Sequence, residues 1–409
     1  MLRRAKLLYS SVLLSILTIV LMVCVPFGQA YAHTLSPTGA ATTSTNWPQF
    51  GFNATNTRFN NKETILSTSN VSQLTQAWSK SAGTSYNITS PAIVKGVAYI
   101  TNGSYLYAFK ATTGKLLWSI NTNATNVLAA PAVANNLIYL GVGTSAGGSL
   151  NAYSTTNGAL VWQTTTSNDV PYNTPTVANG VVYVGGNSLY AFNATSGALL
   201  WTGNIHYDDY APAVVNGVVY EATYFGEVAA FSASGCSPSP CEPLWTAQTS
   251  TYIYYNAEPV VANGIVYVTC TDDKLYAFKA STGKLLWTAA TGGEIISSPA
   301  YANSAVYVGS TDGKLYAFNA AKGTTLWTTA SYNVYGSSPA VANGVVYTGS
   351  NSPYIYAFNA SSGVELWSAA TGPSSLTSVN SPTISNGVVY VSLSITDTGS
   401  EMQAYKLPA

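Results

Sequence analysis

The chain is poor in charged residues, and it contains little histidine, cysteine or arginine. Of its 409 residues, 7% are Asp, Glu, Lys or Arg, two are His and four are Cys. Basic and acidic residues number 15 each. Three of the basic residues, Arg3, Arg4 and Lys6, lie in the first six positions, so the rest of the chain carries 12 basic and 15 acidic residues, a net charge of −3. A mildly acidic, arginine-poor surface binds a phosphate backbone badly, which argues against a nucleic-acid partner.

The four cysteines offer one local pair. Cys236 and Cys241 bracket the sequence Ser-Pro-Ser-Pro, and this spacing predicts a small disulfide in an oxidising compartment. Metal binding by the pair is the weaker alternative, because no histidine or second cysteine pair lies nearby. Cys270 falls in an apolar run and is predicted to be a buried thiol. His206 is the only histidine beyond the N-terminal segment, which is too few for a zinc site.

The N-terminus has the pattern of a secretory signal peptide. A basic start is followed by an apolar run from Leu7 to about Val25 and by the small-residue sequence Ala30-Tyr31-Ala32, which predicts a signal peptide over residues 1–32. Residues 33–46 are rich in Thr, Ser and Ala and are predicted to be a flexible tether. The expectation is a secreted or extracytoplasmic protein with no membrane span after cleavage. An uncleaved anchor and lipidation of Cys24 are the alternatives.

Tryptophan and proline recur at a nearly constant spacing through the rest of the chain. The tryptophans are Trp78, Trp118, Trp162, Trp201, Trp245, Trp287, Trp327 and Trp367. The prolines, each just before an apolar run, are Pro91, Pro131, Pro175, Pro212, Pro259, Pro299, Pro339 and Pro382. A repeat of this length is typical of propellers and solenoids. Because each Trp recurs at one place in every unit, we interpret these side chains as blade-to-blade packing residues and not as a cofactor site.

Each repeat predicts four short strands separated by turns. A unit reads Ser-Pro-Ala-Val, Asn-Gly, Val-Val-Tyr-Val, Leu-Tyr-Ala-Phe and Thr-Gly-Lys-Leu-Leu-Trp. Val, Tyr, Phe and Trp favour strands, and Asn-Gly suits a tight hairpin. Eight such units predict an all-β fold, an eight-bladed β-propeller of four-stranded antiparallel blades over residues 47–409.

The two ends of the repeat region are complementary. The last unit has three strands and stops at Ala409 without a Trp strand, whereas Leu74 to Trp78 is a Trp strand with no unit before it. We therefore predict that Leu74 to Trp78 completes the eighth blade and removes an exposed strand edge.

Two of the repeats carry a family likeness. Ala-Phe-Asn-Ala-Thr-Ser-Gly-Ala-Leu-Leu-Trp at 191–201 and Ala-Phe-Lys-Ala-Ser-Thr-Gly-Lys-Leu-Leu-Trp at 277–287 resemble the tryptophan-docking motif of pyrroloquinoline-quinone-like repeat propellers. The segment from Trp47 to Arg58 is similar to the start of many such proteins. The resemblance implies one of two functions: a dehydrogenase that oxidises alcohols or sugars with the quinone and calcium, or a cofactor-free scaffold such as the outer-membrane assembly lipoprotein.

The two faces of the predicted ring differ in sequence. The Asn-Gly and Thr-Gly turns lie on one face and are nearly uniform, whereas the segments between each Trp and the next Pro lie on the other face and vary, as binding surfaces of repeat proteins do. Tyr with Asn, Asp and Glu suits a polar ligand or a protein partner, although Tyr is abundant throughout the chain. The predicted contact residues are Tyr86, Asn87, Tyr172, Asn173, His206, Tyr207, Asp208, Asp209, Tyr210, Tyr254, Tyr255, Asn256, Glu258, Glu294, Tyr332 and Tyr335.

A calcium–quinone site would need acidic ligands and cationic partners. Asp208, Asp209 and Glu258 are oxygen ligands of the right type for calcium. The three carboxylates of the quinone call for Arg or Lys, and Arg58 is the only arginine after the signal peptide and lies outside the blades. The adjacent-Cys pair of many quinoprotein alcohol dehydrogenases is absent from the sequence. We therefore predict no cofactor, no metal and no catalytic residue.

The sequence thus favours a secreted, monomeric, non-enzymatic scaffold that binds a protein or polar ligand through its variable Tyr- and Asn-rich face. A quinone- and calcium-dependent dehydrogenase and a cell-envelope assembly scaffold are the two alternatives.

Overall fold

The computed structural model describes residues 45–125, 129–144, 147–166, 173–205, 210–250, 252–253, 257–372, 377–395 and 399–408. Within these ranges the secondary structure is almost entirely β-strand, and the one helix is a 3-10 turn at Val71–Gln73. None of the described residues forms a helix long and apolar enough to cross a membrane.

Two strands precede the blades, and the remaining strands form eight sheets in chain order. The first two are β1 (Phe59–Asn60) and β2 (Thr75–Ser81). Blade 1 is β3 (Ala92–Val94), β4 (Val97–Asn102), β5 (Tyr105–Lys110) and β6 (Leu116–Asn121); blade 2 is β7 (Ala132–Ala134), β8 (Leu137–Thr144), β9 (Gly147–Ser154) and β10 (Leu160–Thr165). Blade 3 is β11 (Thr176–Ala178), β12 (Val181–Val184), β13 (Leu189–Asn193) and β14 (Leu199–Gly203); blade 4 is β15 (Ala213–Val215), β16 (Val218–Ala222), β17 (Glu227–Ser232) and β18 (Trp245–Gln248).

The other four blades follow the same plan. Blade 5 is β19 (Val260–Ala262), β20 (Ile265–Cys270), β21 (Lys274–Lys279) and β22 (Leu285–Ala290); blade 6 is β23 (Ala300–Ala302), β24 (Ala305–Gly309), β25 (Leu315–Asn319) and β26 (Thr325–Thr328). Blade 7 is β27 (Ala340–Ala342), β28 (Val345–Gly349), β29 (Tyr354–Asn359) and β30 (Glu365–Ala370); blade 8 contains β31 (Thr377–Val379), β32 (Thr383–Ser385), β33 (Val388–Ile395) and β34 (Gly399–Lys406).

The first strands of neighbouring blades contact one another around a closed ring. β3 contacts β7, the contacts continue from blade to blade, and β32 of blade 8 contacts both β27 and β3. The first strand of each blade therefore lies innermost. The predicted eight-bladed propeller of four-stranded antiparallel blades is confirmed.

The N-terminal strand β2 closes the ring, as the sequence predicts. β2 pairs antiparallel with β34 of blade 8, and Trp78 lies opposite Ala404. The Trp367 indole N–H of blade 7 donates to the carbonyl of Leu74 (3.0 Å). The observed strand runs from Thr75 to Ser81 and so extends three residues beyond the predicted end at Trp78.

Blade-to-blade packing combines a tryptophan with a glycine of the next blade. The Trp245 indole of blade 4 donates to the carbonyl of Ala280 in blade 5 (2.9 Å). Gly283, at a positive φ of 69°, packs against the same indole so closely that a Cβ would collide with it. Equivalent Trp–Gly pairs are Trp78–Gly114, Trp118–Gly158, Trp162–Gly197, Trp201–Gly235, Trp287–Gly323 and Trp327–Gly363. The Thr-Gly turns thus serve packing between blades.

Cys236 and Cys241 form a disulfide that closes the loop between β17 and β18, with their Cα atoms 5.5 Å apart. Cys270 keeps its thiol and is buried, donating to the carbonyl of Tyr252 (3.1 Å).

Residues 45–60, which we call the axial segment, make one circuit of the ring along its innermost strands. The backbone N–H groups of seven inner strands donate to it, each from the middle residue of the strand: Ile93 to Trp47 O, Val133 to Pro48 O, Val177 to Gln49 Oε1, Val214 to Ala54 O, Val261 to Thr55 O, Tyr301 to Thr57 O and Val341 to Arg58 O. The eighth blade is reached by the Asn60 side-chain amide, which donates to Ile384 O (2.8 Å). The axial segment therefore pairs strand edges that would otherwise lie open along the axis.

Candidate ligand-binding face

Two kinds of segment form one face of the ring, which we call the variable face. They are the turns between the second and third strands of each blade and the segments that lead from each Trp strand to the next blade. The opposite, or turn, face carries the Asn-Gly and Thr-Gly hairpins. Asn343 and Gly344 show its regularity: both have positive φ, 43° and 79°, as a tight hairpin of this type requires.

Half of the predicted contact residues lie in the described part of the chain. The other half lie outside it: Tyr172, His206, Tyr207, Asp208, Asp209, Tyr254, Tyr255 and Asn256. Among the described ones, Tyr86 is 52% exposed and Glu294 is exposed, while Tyr335 is partly buried. The backbone carbonyl of Asn87 accepts from the N–H of Gly103, in the turn between β4 and β5. Tyr86 and Asn87 precede blade 1, whereas Glu294 precedes blade 6 and Tyr335 precedes blade 7, so the four do not form one cluster.

Three predicted contact residues are buried, which corrects their placement on the surface. Asn173 and Tyr210 are 1% exposed and Glu258 is 3% exposed. The Tyr210 hydroxyl donates to the carbonyl of Ile253 (2.5 Å) and so ties blade 4 to the segment before blade 5. These side chains support the face from below and cannot contact a partner on its surface.

Tyr332 is also used within the protein. Its ring packs edge-on against Tyr356 (4.9 Å between centroids) and Phe358 (5.3 Å) of blade 7. Burial raises the pKa of the Tyr332 hydroxyl, and the carboxylate of Glu365, which accepts its hydrogen bond, raises it further. Tyr332 therefore packs blade 6 against blade 7.

Two ionisable side chains, Arg58 and Glu258, are buried at the axis of the ring. The guanidinium of Arg58 donates to the carbonyls of Pro339 (2.7 Å), Phe50 (2.8 Å) and Ser338 (3.3 Å). Burial raises the pKa of Glu258 to about 8, and the positive charge of Arg58 limits the rise. Burial lowers the pKa of Arg58, and the charge of Glu258 opposes that shift; the guanidinium stays protonated at neutral pH.

Two aromatic side chains that the sequence analysis missed, Tyr224 and Phe225, form a cluster with Tyr252 on the variable face. Tyr224 and Phe225 lie in the turn between β16 and β17, and Tyr252 lies in the segment after β18. Their ring centroids are 5.1 Å (Tyr224–Tyr252), 5.5 Å (Tyr224–Phe225) and 6.0 Å (Phe225–Tyr252) apart. Phe225 is 49% and Tyr252 52% exposed. We call this cluster the aromatic platform.

The sequence carried a signal for the platform. The turn between the second and third strands reads Thr-Asp-Asp at 271–273 in blade 5 and Thr-Asp-Gly at 311–313 in blade 6, but Thr-Tyr-Phe-Gly at 223–226 in blade 4. Two large aromatic residues at a position that is short and polar elsewhere mark a departure from the repeat. The predicted contact residues came only from the segments between Trp and Pro, so this turn was left out.

A polar cluster lies beside the platform, in the turn between β20 and β21. The carboxylate of Asp272 accepts hydrogen bonds from Ser250, from the Tyr276 hydroxyl (2.6 Å) and from the Lys274 ammonium (2.9 Å). Burial alone would raise the pKa of Asp272, but the hydrogen bonds from Ser250, Tyr276 and Lys274 outweigh it, so the pKa lies below its ordinary value. Asp272 is therefore an ionised acceptor that holds Ser250 and Lys274 in place.

The described residues do not fit a quinone with calcium. Within the described ranges no three His, Cys, Asp or Glu side chains come together as a metal site. The carboxylate of Glu258 lies on the axis with its Oε2 unbonded among the described atoms, but its nearest cationic group, Arg58, already donates to backbone carbonyls. No cationic set for three carboxylates is formed there.

Family models match most of the chain. A model described as "Outer membrane protein assembly factor BamB" matches residues 102–236, 226–334 and 331–406. A model described as "Glucose/ethanol/alcohol dehydrogenase, beta-propeller domain" matches residues 47–133. The chain belongs to the pyrroloquinoline-quinone-like repeat family of β-propellers. The resemblance seen in the Trp-docking motifs is thereby confirmed.

Relatives of this PQQ-like propeller differ in activity. Tetrathionate hydrolase of Acidithiobacillus ferrooxidans is 25% identical over 209 residues, which cover 51% of this chain and 38% of that enzyme. The match thus spans well under half the length of this curated relative.

Two solved structures share the fold. Quinohemoprotein alcohol dehydrogenase ADHIIG from Pseudomonas putida HK5 superposes with a TM-score of 0.73 at 16% identity, over 89% of this chain and 80% of that one. BamB from Moraxella catarrhalis superposes with a TM-score of 0.65 at 18% identity, over 81% and 97%. At these identities the similarity shows the fold alone, and the fold carries both enzymes and non-enzymes.

Proposed function

We propose that this PQQ-like propeller is a secreted, non-enzymatic scaffold that binds a protein or polar ligand at its variable face. The observation that carries the proposal is the axial segment. This segment forms hydrogen bonds with all eight inner strands. Arg58, the only arginine after the N-terminal segment, donates its hydrogen bonds to backbone carbonyls. A ligand of this protein is therefore bound at the surface of the ring.

Three further observations support the scaffold reading. The BamB-described family model covers residues 102–406, which favours a cell-envelope scaffold over a dehydrogenase. The disulfide between Cys236 and Cys241 suits an extracytoplasmic compartment, in line with the predicted signal peptide. The aromatic platform exposes the rings of Phe225 (49%) and Tyr252 (52%), and aromatic residues are enriched at contact surfaces.

The test is a titration of the purified protein with pyrroloquinoline quinone, with and without calcium, followed by quinone absorbance and a dye-linked alcohol and sugar dehydrogenase assay. We expect no saturable change up to about 100 μM quinone, a concentration that would reveal a dissociation constant of that order. Saturable, calcium-dependent binding with turnover would instead make the protein a quinoprotein dehydrogenase, the alternative function, and Asp208, Asp209 and Glu258 would then be the first residues to replace.

A further inference from the structure

We infer that the aromatic platform of Tyr224, Phe225 and Tyr252 binds an oligosaccharide of equatorially substituted pyranose units. The inference rests on the proposed binding function of the variable face and names the ligand class. Its basis is the meeting of exposed rings from two chain segments beside an organised polar cluster.

The platform is an exposed aromatic surface of unusual composition for this protein. Within the described residues, other exposed tyrosines such as Tyr105 and Tyr354 contact the tyrosine two residues further along their own strand. In the platform, Tyr252 comes from a different segment and stacks on Tyr224 at an interplanar angle of 29°. Exposed apolar clusters of this kind on a soluble surface mark a binding site.

The backbone holds Tyr252 rigidly at the edge of the ring. Its carbonyl accepts from the backbone N–H (3.1 Å) and the hydroxyl (2.9 Å) of Thr271. The next residue, Ile253, donates its N–H to the carbonyl of Tyr224 (3.1 Å). These hydrogen bonds hold the backbone of Tyr252 in place in the absence of a ligand. Binding therefore carries a small entropic cost for ordering the platform.

The chemistry of the platform and its rim matches a sugar. The face of an aromatic ring carries partial negative charge, and it attracts the weakly positive C–H hydrogens on the flat side of a pyranose. Sugar hydroxyls need donors and acceptors beside that face. The exposed residues Ser250 and Gln248 and the side chain of Lys274, which is 41% exposed, supply them, and Asp272 fixes Ser250 and Lys274 in position.

The charge of the protein favours a neutral ligand. With the first six residues removed, the chain carries a net charge of −3, and the ammonium of Lys274 is already paired with Asp272 (2.9 Å). A polyanion would lack a cationic surface here. A proline-rich peptide is the other class that docks on exposed aromatic rings, and it is therefore included as a competing probe.

The test is isothermal titration of the purified, quinone-free protein with cellohexaose, with chitohexaose and with a proline-rich decapeptide. We expect saturable binding of at least one hexasaccharide, with affinity reduced about tenfold or more in Tyr252→Ala and in Phe225→Ala, since central aromatic contacts dominate binding surfaces. Tyr252→Phe keeps the ring and should retain binding. Tyr86→Ala is the matched control, because Tyr86 is equally exposed (52%) on the same face and lies outside the platform.

The outcomes separate the inference from the proposed function. No saturation by either sugar up to about 5 mM, an affinity that the two alanine variants leave unchanged, or binding of the peptide alone overturns the sugar inference and leaves the scaffold function standing. Quinone-dependent turnover in the dehydrogenase assay overturns the scaffold function, whereas sugar binding to the quinone-free protein that is lost in Tyr252→Ala still supports the platform. Thermal unfolding of each variant, expected to match the parent, verifies that loss of binding is not loss of fold.

Discussion

Blade 4 meets its neighbour differently on the two faces of the ring. On the turn face, the Trp245 indole packs on Gly283 and donates to Ala280 of blade 5, and the same arrangement recurs around the ring. On the variable face, the same blade presents Tyr224 and Phe225 against Tyr252, an arrangement that occurs once in the part of the chain that the structure describes. Repeated contacts hold the ring together, whereas the contact among Tyr224, Phe225 and Tyr252 departs from the repeat and is not needed by the other blades.

We expect the axial segment to stabilise the ring as the repeated Trp–Gly contacts do, although its own sequence is not repeated. It contacts all eight inner strands, and Arg58 at its end is 1% exposed. Substitutions at the axis and on the turn face should therefore destabilise the protein, and substitutions on the variable face should leave its stability unchanged. Four predictions test this contrast.

Arg58→Ala should have the largest effect. It removes a buried guanidinium that donates to four backbone carbonyls, of which only that of Phe50 also accepts from the Trp47 indole among the described residues, so we expect a loss of about 3–5 kcal/mol in the free energy of unfolding. Denaturant unfolding measures it. The exposed Lys62, two residues past the axial segment, gives the control Lys62→Ala, and an equal loss in both variants would contradict a special role for the axis.

Gly283→Ala should come next. The new Cβ would collide with the Trp245 ring, and φ is +69°; together we expect a loss of about 2–3 kcal/mol in the free energy of unfolding. Gly264→Ala is matched in φ (+75°) but has no atom within 4 Å of its Cβ, so it should cost only about 1 kcal/mol. Equal midpoints in urea for the two variants would show that Trp–Gly packing contributes nothing.

Glu258 should make stability fall with rising pH. Its pKa in the folded protein is raised by burial to about 8 from an ordinary 4.5, so between these values the folded protein holds a proton that the unfolded chain has released. The stabilisation is full below pH 4.5 and is lost as the pH rises through about 8. We expect a decline of about 2 kcal/mol between pH 6 and pH 8, absent in Glu258→Gln and present in the exposed control Glu294→Gln. A parallel decline in Glu258→Gln would assign it to another group.

Tyr86→Ala on the variable face should have the smallest effect. The ring is 52% exposed, so the free energy of unfolding should stay within about 0.5 kcal/mol of the parent. A loss above about 1 kcal/mol in thermal unfolding would show that this face also supports the fold.

The sequence was sufficient to predict what it repeats. The Asn-Gly hairpins, the Trp strands and the completion of blade 8 by the strand near Trp78 could be predicted because each signal recurs at a fixed spacing. The axial segment could not, since residues 45–60 occur once and have no period. The burial of Tyr210 and Glu258 depends on neighbouring blades and on that segment, so two residues that resembled surface ligands turned out to be internal.

The aromatic platform could be predicted from the sequence only in part. Thr-Tyr-Phe-Gly at 223–226 breaks the pattern of short polar turns, so it could have been found by aligning that turn across blades. Its meeting with Tyr252 is a tertiary contact between two loops, which a single sequence does not specify.

Native-state hydrogen exchange of the axial segment tests the central claim most directly, because the claim requires an axis that stays closed. The amides of Phe52, Asn56 and Arg58 bond within the segment, and those of Ile93 and Val341 bond to it from the inner strands. We predict that all five exchange only through global unfolding, as slowly as the blade cores. A free energy of opening much lower for the amides of the axial segment than for those of the blades would show that the axis opens in the native protein. The axis could then be the ligand site, which would contradict this account.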